Sequence, residues 1–156
     1  QLTAMGWTMV KLTTLHRTVR PDLLETPNIL ITSGSESLGG ENTTPDNLYM
    51  LGLFDLQPDQ TLQLQFRPPE TRYWSVTVEN IWHECLEPLV RHSSVTNRGI
   101  EPEADGTVRL AIGARDHGYG HWLDTGGRTR GFVTVRWLDN PQAPDVTVRV
   151  LGAKAP

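Results

Sequence analysis

The sequence predicts a mainly β protein, an antiparallel β-sandwich of jelly-roll type that carries one N-terminal amphipathic helix. Three observations support this prediction. Several short segments alternate apolar and polar residues, as strands with one buried face do. Turn-forming residues separate these segments, and helical spacing of apolar residues is clear at the start of the chain but not in the later segments. Many short strands with little helix favour two packed antiparallel sheets.

The first predicted element is a helix that ends before Pro21. Apolar residues and His16 recur at alternating steps of three and four between Leu2 and Val19, which is the spacing of one helical face. Because the stripe is narrow and heptad-like, the helix can pack across the domain or pair with a second copy of the chain or a missing upstream segment. We favour packing within the domain and keep a homo-oligomer through this helix as the alternative.

A polar connection over 21–47 is predicted to follow the helix at 1–20 and to precede a β-sandwich domain over 48–156. Gly, Ser, Thr, Asn, Glu and Pro dominate the connection, and Ile29-Leu30-Ile31 is its apolar run. Loops of this length are uncommon unless they are mobile or functional. The chain begins at Gln1 with its first methionine at Met5, so we expect a processed product or a part of a longer protein.

The strands of the domain are predicted from apolar residues that alternate. After the apolar run Leu48 to Leu56, Leu62, Leu64 and Phe66 share a face, and the glutamines between them are expected to face water. A turn at 68–71 precedes a second alternating segment, so Thr61–Asn80 is predicted to form an antiparallel hairpin with Trp74, Val76 and Val78 inward. Three further strands are predicted, with inward residues Val108, Leu110 and Ile112, then Val133, Val135 and Trp137, then Val146, Val148 and Val150.

Composition excludes several classes of protein. A net charge of -4 gives no footprint for nucleic acid, which requires clustered Lys and Arg. Cys85 is the single cysteine, so no internal disulfide can form. No apolar run approaches the roughly 20 residues of a membrane span, and the N-terminus lacks the pattern of a signal peptide. We expect a soluble protein with no membrane partner; the sequence does not fix the compartment, and we favour the cytoplasm.

An ordered set of residues resembles a known family. The set comprises Phe66-Arg67-Pro68-Pro69, Tyr73-Trp74-Ser75-Val76, Asn80, Trp82, Asp105-Gly106, Asp116, Gly118, Trp122-Leu123-Asp124-Thr125, Gly127 and Gly131. Over roughly Leu48 to Trp137 the chain resembles the bacterial family called domain of unknown function 1214. The resemblance implies a β-sandwich of jelly-roll type and no established reaction. It also implies, in longer proteins, a companion 1254-type domain, which we expect to lie outside this chain.

Two histidines depart from the family pattern. His117 stands where the family commonly has proline, and His121 stands where it has asparagine. Neither can inherit a family role. If a loop brings them together with an aspartate, zinc is the first candidate for a metal site. The alternative, which we prefer, is that both are loop residues, and no other cofactor is expected because phosphate-binding and dinucleotide motifs are missing.

The central loop, defined as 115–127, supplies most candidate site residues. It sets polar and aromatic side chains among four glycines, which suits a rigid, irregular loop that carries function. Within it we expect Trp122 and Leu123 to be buried as anchors. Asp116 and Asp124, with Glu84, are the candidate catalytic acid and base. Alternatively, the aspartates accept backbone hydrogen bonds and pair with Arg115, Arg128 or Arg136. The candidate ligand contacts are Trp82, Arg91, Tyr119 and Trp122.

Two classes of function follow from these residues. The first is a non-catalytic β-sandwich module that binds a glycan or another small ligand, such as a small organic acid, or that supports assembly with a partner domain. The second is a hydrolase-like, glycan-processing enzyme that uses Asp116 or Asp124 with Glu84, an analogy made at the level of the fold. We favour the module.

Overall fold

A computed structural model describes residues 22–33, 47–139, 142 and 144–152. The helix predicted over Leu2–Val19 lies outside the described residues. Within them the chain forms one short helix and nine strands: α1 Asp22–Glu25, β1 Ile31–Ser33, β2 Leu48–Asp55, β3 Thr61–Phe66, β4 Trp74–Glu79, β5 Ser94–Thr96, β6 Val108–Gly113, β7 His121–Asp124, β8 Arg130–Trp137 and β9 Val146–Leu151. No helix in these ranges has the length and apolar character needed to cross a membrane.

The strands form two sheets. Sheet A has the order β1-β2-β8-β4-β5, and sheet B has the order β7-β6-β3-β9. Neighbouring strands are antiparallel except β6 and β7, which are parallel. The prediction of a mainly β fold with two sheets is confirmed, and the jelly-roll connectivity stays a prediction.

One apolar core lies between the sheets. Alternate side chains of both sheets point into it, because successive residues of a strand face opposite sides. Phe66 of sheet B meets two tryptophans of sheet A edge-on, with ring centroids 5.3 Å from Trp74 and 5.2 Å from Trp137. The predicted inward residues of β3, β4, β6 and β8 are all buried.

The hairpin predicted over Thr61–Asn80 is wrong. β3 pairs with β6 and β9 in sheet B, whereas β4 pairs with β5 and β8 in sheet A. The connection with Pro68 and Pro69 therefore carries the chain from one sheet to the other. Two alternating strands show the same apolar pattern whether they pair side by side or face each other across a core. Their inward faces could thus be predicted but their pairing could not.

The outer face of sheet A is covered at one end. β2 is buried from Met50 to Phe54, because Leu51 and Leu53 on its outer side join Leu23 of α1 and Phe132 of β8 in a second apolar cluster. Both α1 and β1 fall within 21–47, so part of the predicted polar connection belongs to the packed fold.

The edge strand β9 differs from its prediction. Val146 and Val148 pack against the core, but Val150, on the same face of the strand, is 40% exposed. Among the described strands β9 lies at the edge of sheet B beside β3, and Val150 is near its end.

Candidate functional site

The central loop lies over the outer face of sheet B. Because β6 and β7 are parallel, the chain must return along the sheet between Gly113 and His121. The Gln63 side chain donates to the Tyr119 carbonyl at 2.7 Å, and the Tyr119 hydroxyl donates to the Gly152 carbonyl at 2.9 Å. These two bonds anchor the loop across β3 to the end of β9. They also explain why Gln63, predicted to face water, is buried.

Gly120 shows how closely the loop approaches the sheet. It has φ 148, and a Cβ placed there would lie 2.5 Å from the Arg109 carbonyl oxygen, so no larger residue fits without a shift.

Part of the central loop is a regular strand. Residues 121–124, which were predicted to be irregular, form β7. Leu123 of β7 is fully buried, as predicted. Trp122 points to the opposite side, is only half-buried, and donates from Nε1 to the Gly113 carbonyl at 3.0 Å.

Asp116 and Asp124 each close a turn of the backbone. Oδ1 of Asp116 accepts the N–H of Gly118 at 2.8 Å, and Oδ1 of Asp124 accepts the N–H of Gly126 at 2.6 Å. Such bonds to the amide two residues later are the usual structural use of aspartate in turns. These contacts are those of the structural alternative, in which each aspartate accepts a backbone hydrogen bond. The arginine that pairs with Asp124, however, is not Arg115, Arg128 or Arg136.

That arginine is Arg91. Its Nη1 lies 2.9 Å from Oδ2 of Asp124, and its Nε pairs with Glu87. The pKa of Arg91 is raised, first by the hydrogen bond that it donates to Glu87 and then by the one that it donates to Asp124. The Asp124 amide also donates to the His92 carbonyl at 2.8 Å. A candidate ligand residue and a candidate catalytic residue thus meet, but as an ion pair in which each charge is neutralised.

Trp82 and Glu84 belong to a turn built on Asn80. Oδ1 of Asn80 accepts the N–H groups of Trp82 and Glu84 at 2.8 and 3.1 Å, and its Nδ2 donates to the Glu84 carboxylate at 2.6 Å. His83 in the same turn stacks on Phe132, whose side chain lies on the outer face of sheet A. Tyr119 and Trp122 lie on the outer face of sheet B, so the predicted ligand residues are divided between the two sides of the molecule.

The two histidines of the metal hypothesis differ in exposure. His121 is exposed at the start of β7, whereas His117 is half-buried and its Nε2 is shielded without a hydrogen-bond partner. Within the ranges that the structure describes, no group of three or more His, Cys, Asp or Glu side chains is arranged to hold a metal ion. The zinc hypothesis therefore has no third ligand in that part of the chain and stays a prediction.

The connection from Asn80 to Ser93, here called the apolar loop, exposes the candidate ligand residue Trp82 together with three aliphatic side chains that the sequence did not predict as site residues. Leu89 is 97% exposed and Val90 is 80% exposed, and Ile81 and Trp82 are 45% and 59% exposed. The segment 81–90 has no clear period, so neither strand nor helix could be predicted for it. The signal in the sequence was Pro88, which interrupts regular secondary structure just before the apolar pair Leu89-Val90.

Comparisons with known proteins give a family and a fold. The family model described as "Protein of unknown function (DUF1214)" matches residues 53–143. No curated protein matches the chain. The crystal structure of an uncharacterized protein from Burkholderia cenocepacia is similar, with 25% identity, a TM-score of 0.79, and coverage of 85% of this chain and 37% of that one. The structure of the VPA0106 protein from Vibrio parahaemolyticus has 18% identity and a TM-score of 0.51, covering 73% and 33%. The chain thus spans well under half of both.

Proposed function

Because this chain belongs to the DUF1214 family of proteins of unknown function, we propose that it is a non-catalytic β module that docks its apolar loop against a companion protein domain. The observation that carries the proposal is the exposure of Ile81, Trp82, Leu89 and Val90 on one connection. Single exposed apolar residues need no explanation, but four within ten positions are typical of an interaction surface.

The apolar loop is held in shape before any partner binds. Besides the bonds of Asn80, Leu86 is buried in the core, and the Ser93 hydroxyl donates to the Leu86 carbonyl at 2.7 Å. The Arg91–Asp124 pair fastens the far end of the loop to β7. His83 and Glu87 have φ 60 and 41, a backbone region that residues other than glycine rarely occupy. A loop fixed in this way loses little conformational entropy on binding.

A protein domain suits this surface better than a sugar. Ile81, Leu89 and Val90 are aliphatic and offer sugar hydroxyls no hydrogen bond, whereas interface cores between proteins are apolar and rich in aromatic residues. The similar solved chains are longer than this one, since it covers 37% and 33% of them. The family resemblance names the companion as a 1254-type domain, and we assign the apolar loop to it.

The hydrolase-like alternative has no supporting contact among the described residues. Asp116 and Asp124 accept backbone amides, Asp124 is paired with Arg91, and Glu84 accepts from Asn80. A general acid or base must be free to exchange a proton with a substrate. The three carboxylates are instead held by three different sets of partners, so we do not propose this activity.

Calorimetric titration of a purified companion 1254-type domain with this chain tests the proposal. We expect the doubly substituted Trp82→Ser, Leu89→Ser chain to bind at least about 100-fold more weakly, since central apolar anchors commonly contribute 2 kcal/mol or more each. Val150→Ser is the matched control, because Val150 is also exposed but lies in sheet B. It should bind as the unsubstituted chain does.

Three outcomes would overturn the proposal. The first is equal affinity of the doubly substituted and unsubstituted chains, and the second is no binding by either. The third is a change in the oligomeric mass of this chain alone on substitution, measured by light scattering, which would assign the apolar loop to a second copy.

A further inference from the structure

A row of side chains crosses the outer face of sheet A at the end that α1 does not cover. Tyr49 pairs with Arg136, Arg136 pairs with Ser75, and Ser75 pairs with Thr96. Residues directly opposite each other on neighbouring strands share a face. Val135 and Trp137 point into the core, so Arg136 and its partners in the row point outward. We call these four residues the polar row.

Arg136 has an unusual environment for an arginine. Its guanidinium carbon lies 5.7 Å from the centre of the Tyr49 ring, and its Nε is shielded from solvent without a hydrogen bond. In the described ranges three arginines are half-buried, namely Arg91, Arg109 and Arg136. Arg91 and Arg109 pair with carboxylates, but no described carboxylate lies within ion-pair distance of Arg136. A partly desolvated charge that has no partner is costly.

Residues with hydroxyl groups neighbour Arg136 on this face of the sheet. Ser75 beside it is 9% exposed, and Thr134 precedes it by two residues on the same face of β8. One row further along, the hydroxyls of Thr77 and Ser94 are 3.1 Å apart and bonded to each other. The polar row therefore combines one positive charge, one aromatic face and several hydroxyls, and its neighbours in sheet A bring no negative charge to it.

We propose that the polar row binds a small hydroxylated monocarboxylate, with Arg136 as the anion-binding residue. The planar guanidinium presents Nη donors in a fork that matches a planar carboxylate. A hydroxylated body can then exchange hydrogen bonds with Ser75 and Thr134, while Tyr49 supports the guanidinium from the other side. One unpaired positive charge matches a monoanion better than a phosphate monoester, whose charge near neutral pH is about −1.5 to −2.

This site is separate from the apolar loop. Phe132, which His83 of the loop stacks against, lies four residues before Arg136 on β8, or roughly 13 Å along the strand. The two proposals therefore rest on different residues, and either can fail without the other.

The test uses the whole chain and three probes: glucuronate, glucose and inorganic phosphate. Nuclear magnetic resonance spectra of the arginine Nε–H groups are recorded as each probe is added. We expect glucuronate to shift the Arg136 resonance saturably, and neutral glucose to leave it unchanged. Phosphate should bind at least about tenfold more weakly than glucuronate, a difference of about 1.4 kcal/mol.

Substitutions then locate the site. Arg136→Gln should weaken glucuronate binding at least about tenfold, since the charge-assisted hydrogen bonds to the carboxylate are lost. Arg149→Gln is the matched control, because Arg149 is an exposed arginine of sheet B. The affinity of this variant for glucuronate should equal that of the unsubstituted chain. Backbone amide spectra, followed in parallel for every variant, report binding where the Arg136 resonance has been removed.

If Arg136→Gln does not fold, Ser75→Ala and Thr134→Val keep the charge and remove the hydroxyls. Each variant should then bind glucuronate more weakly. Its binding of acetate, a fourth probe that lacks hydroxyl groups, should be unchanged. Equal affinity for glucuronate and glucose, tighter binding of phosphate, or no saturable shift with any probe would each overturn the proposal.

Discussion

Single polar side chains decide the shape of the central loop. Asp116 and Asp124 each accept the backbone N–H of the residue two positions later. Outside this loop, Asp105 accepts the N–H of Thr107 in the same way, and this hydrogen bond is the largest cause of the lowered pKa of Asp105. At Gly126, with φ 61, a Cβ would lie 2.6 Å from Nη1 of Arg128 and 3.1 Å from Nε of Arg91. The hydrogen bonds of Asp116 and Asp124 thus support the backbone of the central loop.

Leu123 and Trp122 are neighbours that should differ in their contribution to stability. Leu123 is fully buried in the core, so Leu123→Ala should lower the free energy of unfolding by about 2–5 kcal/mol. Trp122→Phe keeps a ring and removes one hydrogen bond to the Gly113 carbonyl, which still accepts from Thr125. It should cost about 0.5–1.5 kcal/mol. Urea unfolding measures both, and a Trp122→Phe cost equal to that of Leu123→Ala would contradict this assignment.

At the scale of elements, alternation predicted which side chains face inward but not which strands pair. Leu62, Leu64, Trp74 and Val76 are buried as expected, although β3 and β4 belong to different sheets. The short strands β1, β5 and β7 have three, three and four residues, too few to show a period. Both faces of β2 are buried, because α1 covers its outer face. A local sequence pattern cannot reveal this contact, which joins two separate segments of the chain.

The candidate site was harder to predict than the fold for the same reason. The apolar loop has no period, and the significance of Leu89 lies in its exposure, which depends on the rest of the molecule. The sequence predicts Arg136 only as a polar residue of an alternating strand. Its lack of a carboxylate partner among the described residues, and its place beside Tyr49 and Ser75, depend on the register of three strands.

Asn80 should control the order of the apolar loop as an element. Asn80→Ala removes the acceptor of the Trp82 and Glu84 amides, so hydrogen exchange at these two amides should quicken at least about fivefold, since each bond contributes about 1 kcal/mol. Asn97→Ala is the control, because Asn97 donates to Arg72 in a different connection and should leave both amides unchanged. Unchanged exchange in Asn80→Ala would show that the loop is held by its other contacts.

On the scale of the whole molecule, the two sheets share one core. Phe66 is the clearest link, since its ring from sheet B sits edge-on against Trp74 and Trp137 of sheet A, and those two rings are themselves 6.0 Å apart. Aromatic contacts of this geometry add about 0.5–1.5 kcal/mol to the free energy of apolar burial. A core built from both sheets favours unfolding of the sheets together rather than one at a time.

Phe66→Ala tests this cooperativity. The substitution should lower the free energy of unfolding by about 3–5 kcal/mol, because a buried aromatic ring is removed and a cavity remains between the sheets. Hydrogen exchange should then show the slowest amides of β4 in sheet A and of β6 in sheet B losing protection by the same factor, although only sheet B is altered. Val150→Ala, on the exposed edge of sheet B, should change neither set. A loss confined to β6 and its neighbours would mean that the sheets unfold independently, and that Phe66 stabilises its own sheet rather than the contact between the two.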